Sequence, residues 1–237
     1  MQFISSTQNP VFKQALKLDK KRNRESSNQF LVEGIREIQL ALRADYVVDA
    51  LIFNEKASVD QNVLAQFKDL ECHKHIFSKE LFSKLAYRDR VSNVLALVQI
   101  PQNDIDRFFK QSPKLIVILE SIEKPGNLGA IFRTCDAAGV DAVIIAEPKT
   151  DIYHPNVVRA SLGSLFTTPF FVMSNQTAHA HLKSNRFTIY TTWLQASKPH
   201  FHAAMKGKTA LVVGSEAQGV TDFWIENSDD NIIIPMR

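Results

Sequence analysis

Five apolar runs in the second half of the chain constrain its fold more than any other feature. They are "LIVILE", "AVIIA", "TIYTT", "TALVVG" and "NIIIPM", separated by stretches of helical character. A sheet with one wet face alternates apolar and polar residues. These runs do not alternate, so each strand is predicted to be buried on both faces, as in a parallel sheet covered by helices. The C-terminal half therefore reads as an open α/β sheet, with ligand sites at the carboxyl ends of its strands.

The first half alternates shorter helices and strands. Asn9 and Pro10 open a polar helix predicted to run to about Arg24, since Asn caps and Pro fits the first helical position. "FLVEG" reads as a strand, "IREIQLALR" as a helix with Ile35, Ile38 and Leu42 on one face, and "NVLALVQI" as a buried strand. "PQNDIDRFFKQSPK", with a proline near each end, reads as a linker. The predicted division is a smaller N-terminal α/β domain over 1–100, a linker over 101–113 and the parallel-sheet domain over 114–237.

Composition narrows the classes. The 237 residues, 45% hydrophobic and 22% charged, suit a globular protein with a substantial core. No apolar run reaches the length of a membrane span, and "MQFISSTQNP" has no signal-peptide pattern, so a cytoplasmic protein without membrane association is expected. Cys72 and Cys135 are the only cysteines, which leaves neither a disulfide framework nor a CxxC site. His73/His75, His179/His181 and His200/His202 are each spaced i, i+2, without the compact further ligands of a metal site. The net charge of +3 is mild, but "KLDKKRNR" concentrates cations over Lys17 to Arg24. That run suits either contact with nucleic-acid phosphates or a solvated helix end.

One strand end carries "PGNLGAIFRT", Pro125 to Thr134. Gly126 and Gly129 are three apart, which fails the dinucleotide fingerprint, and no Gly-Lys-Ser/Thr follows to make a phosphate-binding loop. Asn127 reads as the N-cap of a helix burying Leu128, Ile131, Phe132 and Cys135, with Gly139 at its end. Arg133 lies about 140° round that helix from Leu128 and points away from the buried stripe. Two further strand ends are "LVVGSEAQGV" and "IIIPM". In the first, Gly214 would let a ligand approach the backbone, Glu216 offers a carboxylate and Gly219 permits a tight turn. Brought together, such ends would line a pocket for a flat, largely neutral ligand such as an adenine nucleoside.

"NLGAIFRT", "VVGSEAQG" and "IIIPM", in this order and spacing, resemble the three motifs of the SpoU/TrmH family. These are SPOUT-class RNA 2′-O-ribose methyltransferases that use S-adenosylmethionine. "NPVFKQALKLDKKRNRESSNQFLVEG" resembles the start of the N-terminal RNA substrate-binding domain of many members. The resemblance implies a trefoil knot in the C-terminal domain, which forms the S-adenosylmethionine pocket, and a two-fold homodimer. It places Gly214 and Ile234 at the cofactor through backbone groups, with Thr192, Ser215, Gly219 and Met236 nearby. It places Asn127, Arg133 and Glu216 at the catalytic centre, the arginine contributed across the dimer. RNA contacts are expected from Lys13, Lys20, Lys21, Arg22, Arg24, Arg36 and Arg159, with Ser161 a secondary candidate for RNA contact or dimer packing. The transfer needs no metal.

Two departures from the family pattern stand out. The third motif normally continues past Ile-Pro-Met into Ser-Leu-Asn and a final helix, so a tail beyond Arg237 is expected. "RVSNVLALV" also stands where a Pro-Gln-Gly is expected before the last N-terminal strand. The implied activity is 2′-O-ribose methylation of RNA, ribosomal RNA before transfer RNA. The alternative is a non-catalytic RNA-binding protein derived from the family.

Overall fold

The computed structural model describes residues 1–87 and 93–236. The position of the expected Pro-Gln-Gly, at Arg90 to Ser92, lies outside the described residues. The chain forms two compact units, Met1–Pro101 with Ile152–Thr167, and Gln102–Asp151 with Thr168–Arg237.

The first unit begins with β1 (Gln2–Ile4), α1 (Pro10–Lys17) and α2 (Lys21–Ser27). Asn9 caps α1 as expected, its Oδ1 accepting the Val11 N–H at 2.9 Å, with Pro10 in the first turn. The single helix expected as far as Arg24 is instead broken at Leu18–Lys20, where i→i−3 bonds tighten the chain. The break leaves the carbonyls of Leu18 and Asp19 without helical partners. The Arg24 guanidinium donates to both, at 2.5 and 2.9 Å.

Then follow β2 (Gln29–Glu33), α3 (Ile35–Arg43), β3 (Val48–Asn54), α4 (Gln61–Ala65), β4 (His73–Phe77), α5 (Lys79–Ser83) and β5 (Val94–Gln99). The five strands order as β1-β4-β3-β5-β2, parallel from β1 to β3 and antiparallel at β5 and β2. Phe12, Leu18, Ile52, Phe77 and Leu97 are in the core on one side of this sheet.

The second unit starts inside the segment read as a linker. There α6 (Ile105–Phe109) is capped by Asp104, and its Phe109 joins the second unit's core. Next come β6 (Leu115–Glu120), α7 (Pro125–Ala137) and β7 (Ala142–Ala146). After β7 the chain supplies α8 (Pro155–Ser161) and α9 (Ser164–Thr167) to the first unit. There Phe30 of β2 meets the rings of Tyr153 and Phe166, at centroid separations of 4.4 and 6.3 Å. Gly163 has φ +95° between the two helices, where a Cβ would lie 2.3 Å from Leu40 Cδ1.

The chain returns with β8 (Phe170–Met173), α10 (Asn175–Ser184), β9 (Thr188–Thr192), β10 (Lys198–Pro199), β11 (Thr209–Val213), α11 (Asp222–Asn227) and β12 (Asp230–Ile233). The seven strands order as β10-β12-β9-β11-β6-β7-β8, and every pair is parallel. All five apolar runs are interior strands of this sheet. The two strands not read from the sequence, β8 and β10, are its edges. The chain works outward from β6 through β7 and β8, then builds β9, β11 and β12 on the opposite side. The topological switch therefore falls between β6 and β11, where an open parallel sheet leaves a crevice at its carboxyl ends. Among the described residues no helix is long and apolar enough to cross a membrane.

Candidate active site

An open pocket of ≈ 490 Å³ lies at the carboxyl ends of β9, β11 and β12, three adjacent strands of the sheet. Thr192, Gly214, Ser215, Gly219, Ile234 and Met236, the six residues expected at a cofactor, all line it. Its walls are the segment Thr192–Gln195, the loop Gly214–Val220 and the stretch after β12, which ends at Ile233, two residues before Pro235. Proline cannot donate to the ladder, so the strand stops there.

The Gly214–Val220 loop closes on itself. Ser215 and Gly219 exchange backbone hydrogen bonds, 3.0 Å in each direction, and Gly219 has φ +69°. A Cβ at Gly214 would lie 2.1 Å from the carbonyl carbon and oxygen of Gly219. The chain's own loop therefore already requires a glycine at this position. The Ser215 hydroxyl turns inward and accepts the Gln218 N–H at 3.2 Å. The Thr192 hydroxyl donates to the Val212 carbonyl at 2.9 Å and ties β9 to β11 at the pocket floor.

The pocket's chemistry is apolar with a polar backbone. Of its lining residues Glu216 alone carries a formal charge, and Leu194 and Met236 are 84% and 86% exposed. Among the described residues no cation lines it to neutralise a phosphate, so it suits an uncharged or cationic ligand with a flat apolar part. These are the properties of S-adenosylmethionine, a nucleoside sulfonium without phosphates. The residues present fit it. Trp193, Leu194 and Gln195 were not anticipated from the sequence; their signal is a Trp-Leu pair directly after a buried strand end.

The segment Pro125–Gly129 is the start of α7, with Pro125 in the first helical position. Asn127 is therefore two residues inside the helix and is not its N-cap, which is Lys124. This frees its side-chain amide to donate to a Glu216 oxygen across 89 residues of sequence. That bond, helped by the Glu216 backbone N–H, holds the Glu216 carboxyl below the usual carboxylate range. Leu128, Phe132 and Cys135 are buried as expected, Ile131 only partly, and Gly139 follows the helix end at φ +68°. Arg133 is exposed. It lies about 120° round α7 from Asn127, so one chain does not turn both side chains the same way.

Glu120, the last residue of β6, is completely buried. Its oxygens accept from Thr221 and Asn175. In the sequence it reads only as the last residue of the apolar run LIVILE.

The expected RNA-contacting cations are in the first unit. Lys13, Lys20, Lys21, Arg22, Arg36 and Arg159 are exposed. Lys20 lines an open cleft of ≈ 650 Å³ with Lys17, Lys84 and Tyr87. Burial, and then a hydrogen bond to Asp19, pushes the Tyr87 phenol up to about 12. Arg159 donates to the Tyr87 carbonyl at 3.2 Å. Arg24 is a correction: it is 2% exposed and braces the α1–α2 break, so it does not face an RNA phosphate. Ser161 is another, being wholly buried with its hydroxyl donating to the Val158 carbonyl at 2.7 Å. Of the histidine pairs only His73 and His75 share a strand, their rings 6.4 Å apart; His179 and His181 are on α10.

Sheet and pocket together define the class: an open α/β protein with a largely apolar pocket at the strand ends beside its topological switch. A model of the SpoU rRNA Methylase family matches residues 114–237, and a model of the MRM3-like substrate binding domain matches residues 9–96. The chain belongs to the SpoU rRNA methylase family. It is similar to the 23S rRNA (guanosine(2553)-2′-O)-methyltransferase RlmP of Bacillus subtilis (strain 168), 26% identical over 236 residues, covering 100% of this chain and 91% of that protein. A crystal structure of an RNA 2′-O ribose methyltransferase matches at TM-score 0.85 and 30% identity, covering 100% of this chain and 90% of that one. The SpoU methyltransferase AviRb of Streptomyces viridochromogenes, crystallised with the cofactor AdoMet, matches at TM-score 0.89 and 26% identity, over 97% of this chain and 90% of that one.

Proposed function

We propose that this protein transfers a methyl group from S-adenosylmethionine to a ribose 2′-hydroxyl of RNA, with ribosomal RNA as the substrate. The observation that carries the reading is the pocket's charge. A strand-end site lined, among the described residues, by one carboxylate and no cation suits a nucleoside sulfonium better than a nucleotide. When bound, S-adenosylmethionine supplies an activated methyl group on a positively charged sulfur.

The residues of the chain supply alignment and charge. Backbone groups around Gly214 and Ile234, with Thr192, Ser215, Gly219 and Met236, hold the cofactor. Glu216 offers negative charge at the rim, and its bond from Asn127 fixes it in place. A ribose hydroxyl is a poor nucleophile, so orientation and oxyanion stabilisation matter most. Arg133, through its planar guanidinium, holds the adjacent phosphate and steadies the developing charge. Its place about 120° round α7 from Asn127 favours delivery from a second copy in a two-fold homodimer. Residues 114–237 would carry the methyltransferase, with its C-terminal segment threaded in a trefoil knot. Residues 1–100 would bind RNA through the Lys17, Lys20 and Lys84 cleft together with Lys13, Lys21, Arg22 and Arg36, joined by Arg159 from the 152–167 segment of the same unit. The setting is the cytoplasm.

The test is transfer of labelled methyl from S-adenosylmethionine to incompletely modified ribosomal RNA, compared with transfer RNA. Labelling by the wild-type protein and its loss in Arg133→Ala are expected. RNA binding without cofactor binding or labelling would leave the non-catalytic RNA-binding reading instead.

A further inference from the structure

The network at the end of β6 gives a role to a group that the chemistry above does not use. One oxygen of the buried Glu120 accepts the Thr221 backbone N–H at 2.8 Å. The other accepts the Thr221 hydroxyl at 2.7 Å and the Asn175 side-chain amide at 2.5 Å. Asn175 passes the connection on, its Oδ1 accepting the Trp224 indole N–H at 2.8 Å and its backbone N–H donating to Glu147 at 3.0 Å. A buried carboxylate is costly unless several donors satisfy it, and here every one of these partners is a donor.

The place of Thr221 gives the network its meaning. Thr221 directly follows Val220, the last residue of the pocket loop, and it is the N-cap position of α11. A threonine there ordinarily caps its own helix. This one makes no side-chain cap bond and donates its hydroxyl to Glu120 instead. Gly214 anchors the loop's entry at the end of β11, and Glu120 holds its exit.

We propose that Glu120 is the positioning residue of the pocket: it fixes the Gly214–Val220 loop in its binding-ready form, and so sets affinity for the pocket's ligand. The affinity part rests on the cofactor reading above; the loop-fixing part does not.

Glu120→Gln keeps the shape but turns one acceptor into a donor facing donors. It is expected to weaken S-adenosylmethionine binding by about ten- to a hundred-fold. It is also expected to raise the KM for the cofactor more than it lowers kcat, and to speed amide exchange at Ser215 and Gly219 in the ligand-free protein. Leu182→Ala, in the same unit's core, serves as the stability control. It should lower Tm without moving cofactor affinity or the exchange of those two amides. Thr221→Val, which removes one of the three bonds, should move the same quantities less far and carries the test if Glu120→Gln does not fold. Unchanged exchange at Ser215 and Gly219, or an equal loss of affinity in Leu182→Ala at matched Tm, overturns the inference. If the wild-type protein binds no S-adenosylmethionine, the cofactor reading fails, and the exchange comparison still decides whether Glu120 holds the loop.

Discussion

Asn127 and Glu216 meet only because Pro125 starts α7 early enough to put Asn127 inside its first turn. The bond lowers the Glu216 pKa because it favours the charged form. Asn127→Ala should therefore return the Glu216 carboxyl upward toward its ordinary range, read by carbon NMR of the side chain across an acid titration. The bond's contribution is present above the carboxyl's unfolded-state pKa and disappears as pH falls through the lower, folded-state one. Gly214→Ala places a Cβ against loop backbone that cannot rotate away. A cost of about 1–3 kcal/mol and weakened cofactor binding are expected, measured by thermal unfolding and calorimetry. Arg133 is exposed, so Arg133→Ala should leave Tm and cofactor affinity alone while methyl transfer falls roughly 10²- to 10³-fold.

Helix α1 and helix α2 separate two kinds of cation that look alike in "KLDKKRNR". Arg24→Met should destabilise the protein by roughly 2–3 kcal/mol in urea, because two carbonyls lose a charged donor, with little effect on RNA binding by the folded protein. Lys20→Ala should do the opposite: unchanged stability, weaker RNA binding, and a salt slope shallower by roughly 0.7–0.9. The sequence could not sort these residues, since the break at Leu18–Lys20 depends on the packing that Arg24 completes. The interior strands were legible because burial on both faces writes a continuous apolar run. The edge strands β8 and β10 lack that constraint; Val172 on β8 is 48% exposed. Asn127 was misplaced for a local reason, as asparagine's capping preference competes with that of a proline two residues earlier. Glu120 was invisible because its partners stand 55 and 101 residues away, so no short window contains the network.

A site assembled from two copies makes a prediction about mixtures. If Asn127 and Arg133 of one site come from different chains, equal amounts of Asn127→Ala and Arg133→Ala protein, allowed to exchange, should regain about a quarter of wild-type activity. Methyl transfer by the mixture against each protein alone measures this, and no recovery would return Arg133 to its own chain's site. The excursion of residues 152–167 has a different kind of consequence. Because α8 and α9 belong to the first unit while β7 and β8 on either side belong to the second, the backbone changes unit three times. No single cut separates the units, so a fragment over 114–237 would carry two helices stripped of β2 and α3. Replacing the N-terminal module with another would likewise leave them without their seat. A lineage that exchanged its RNA-binding half by recombination would have to re-fit those sixteen residues at the same time. Such modules are thus inherited together more readily than they are traded.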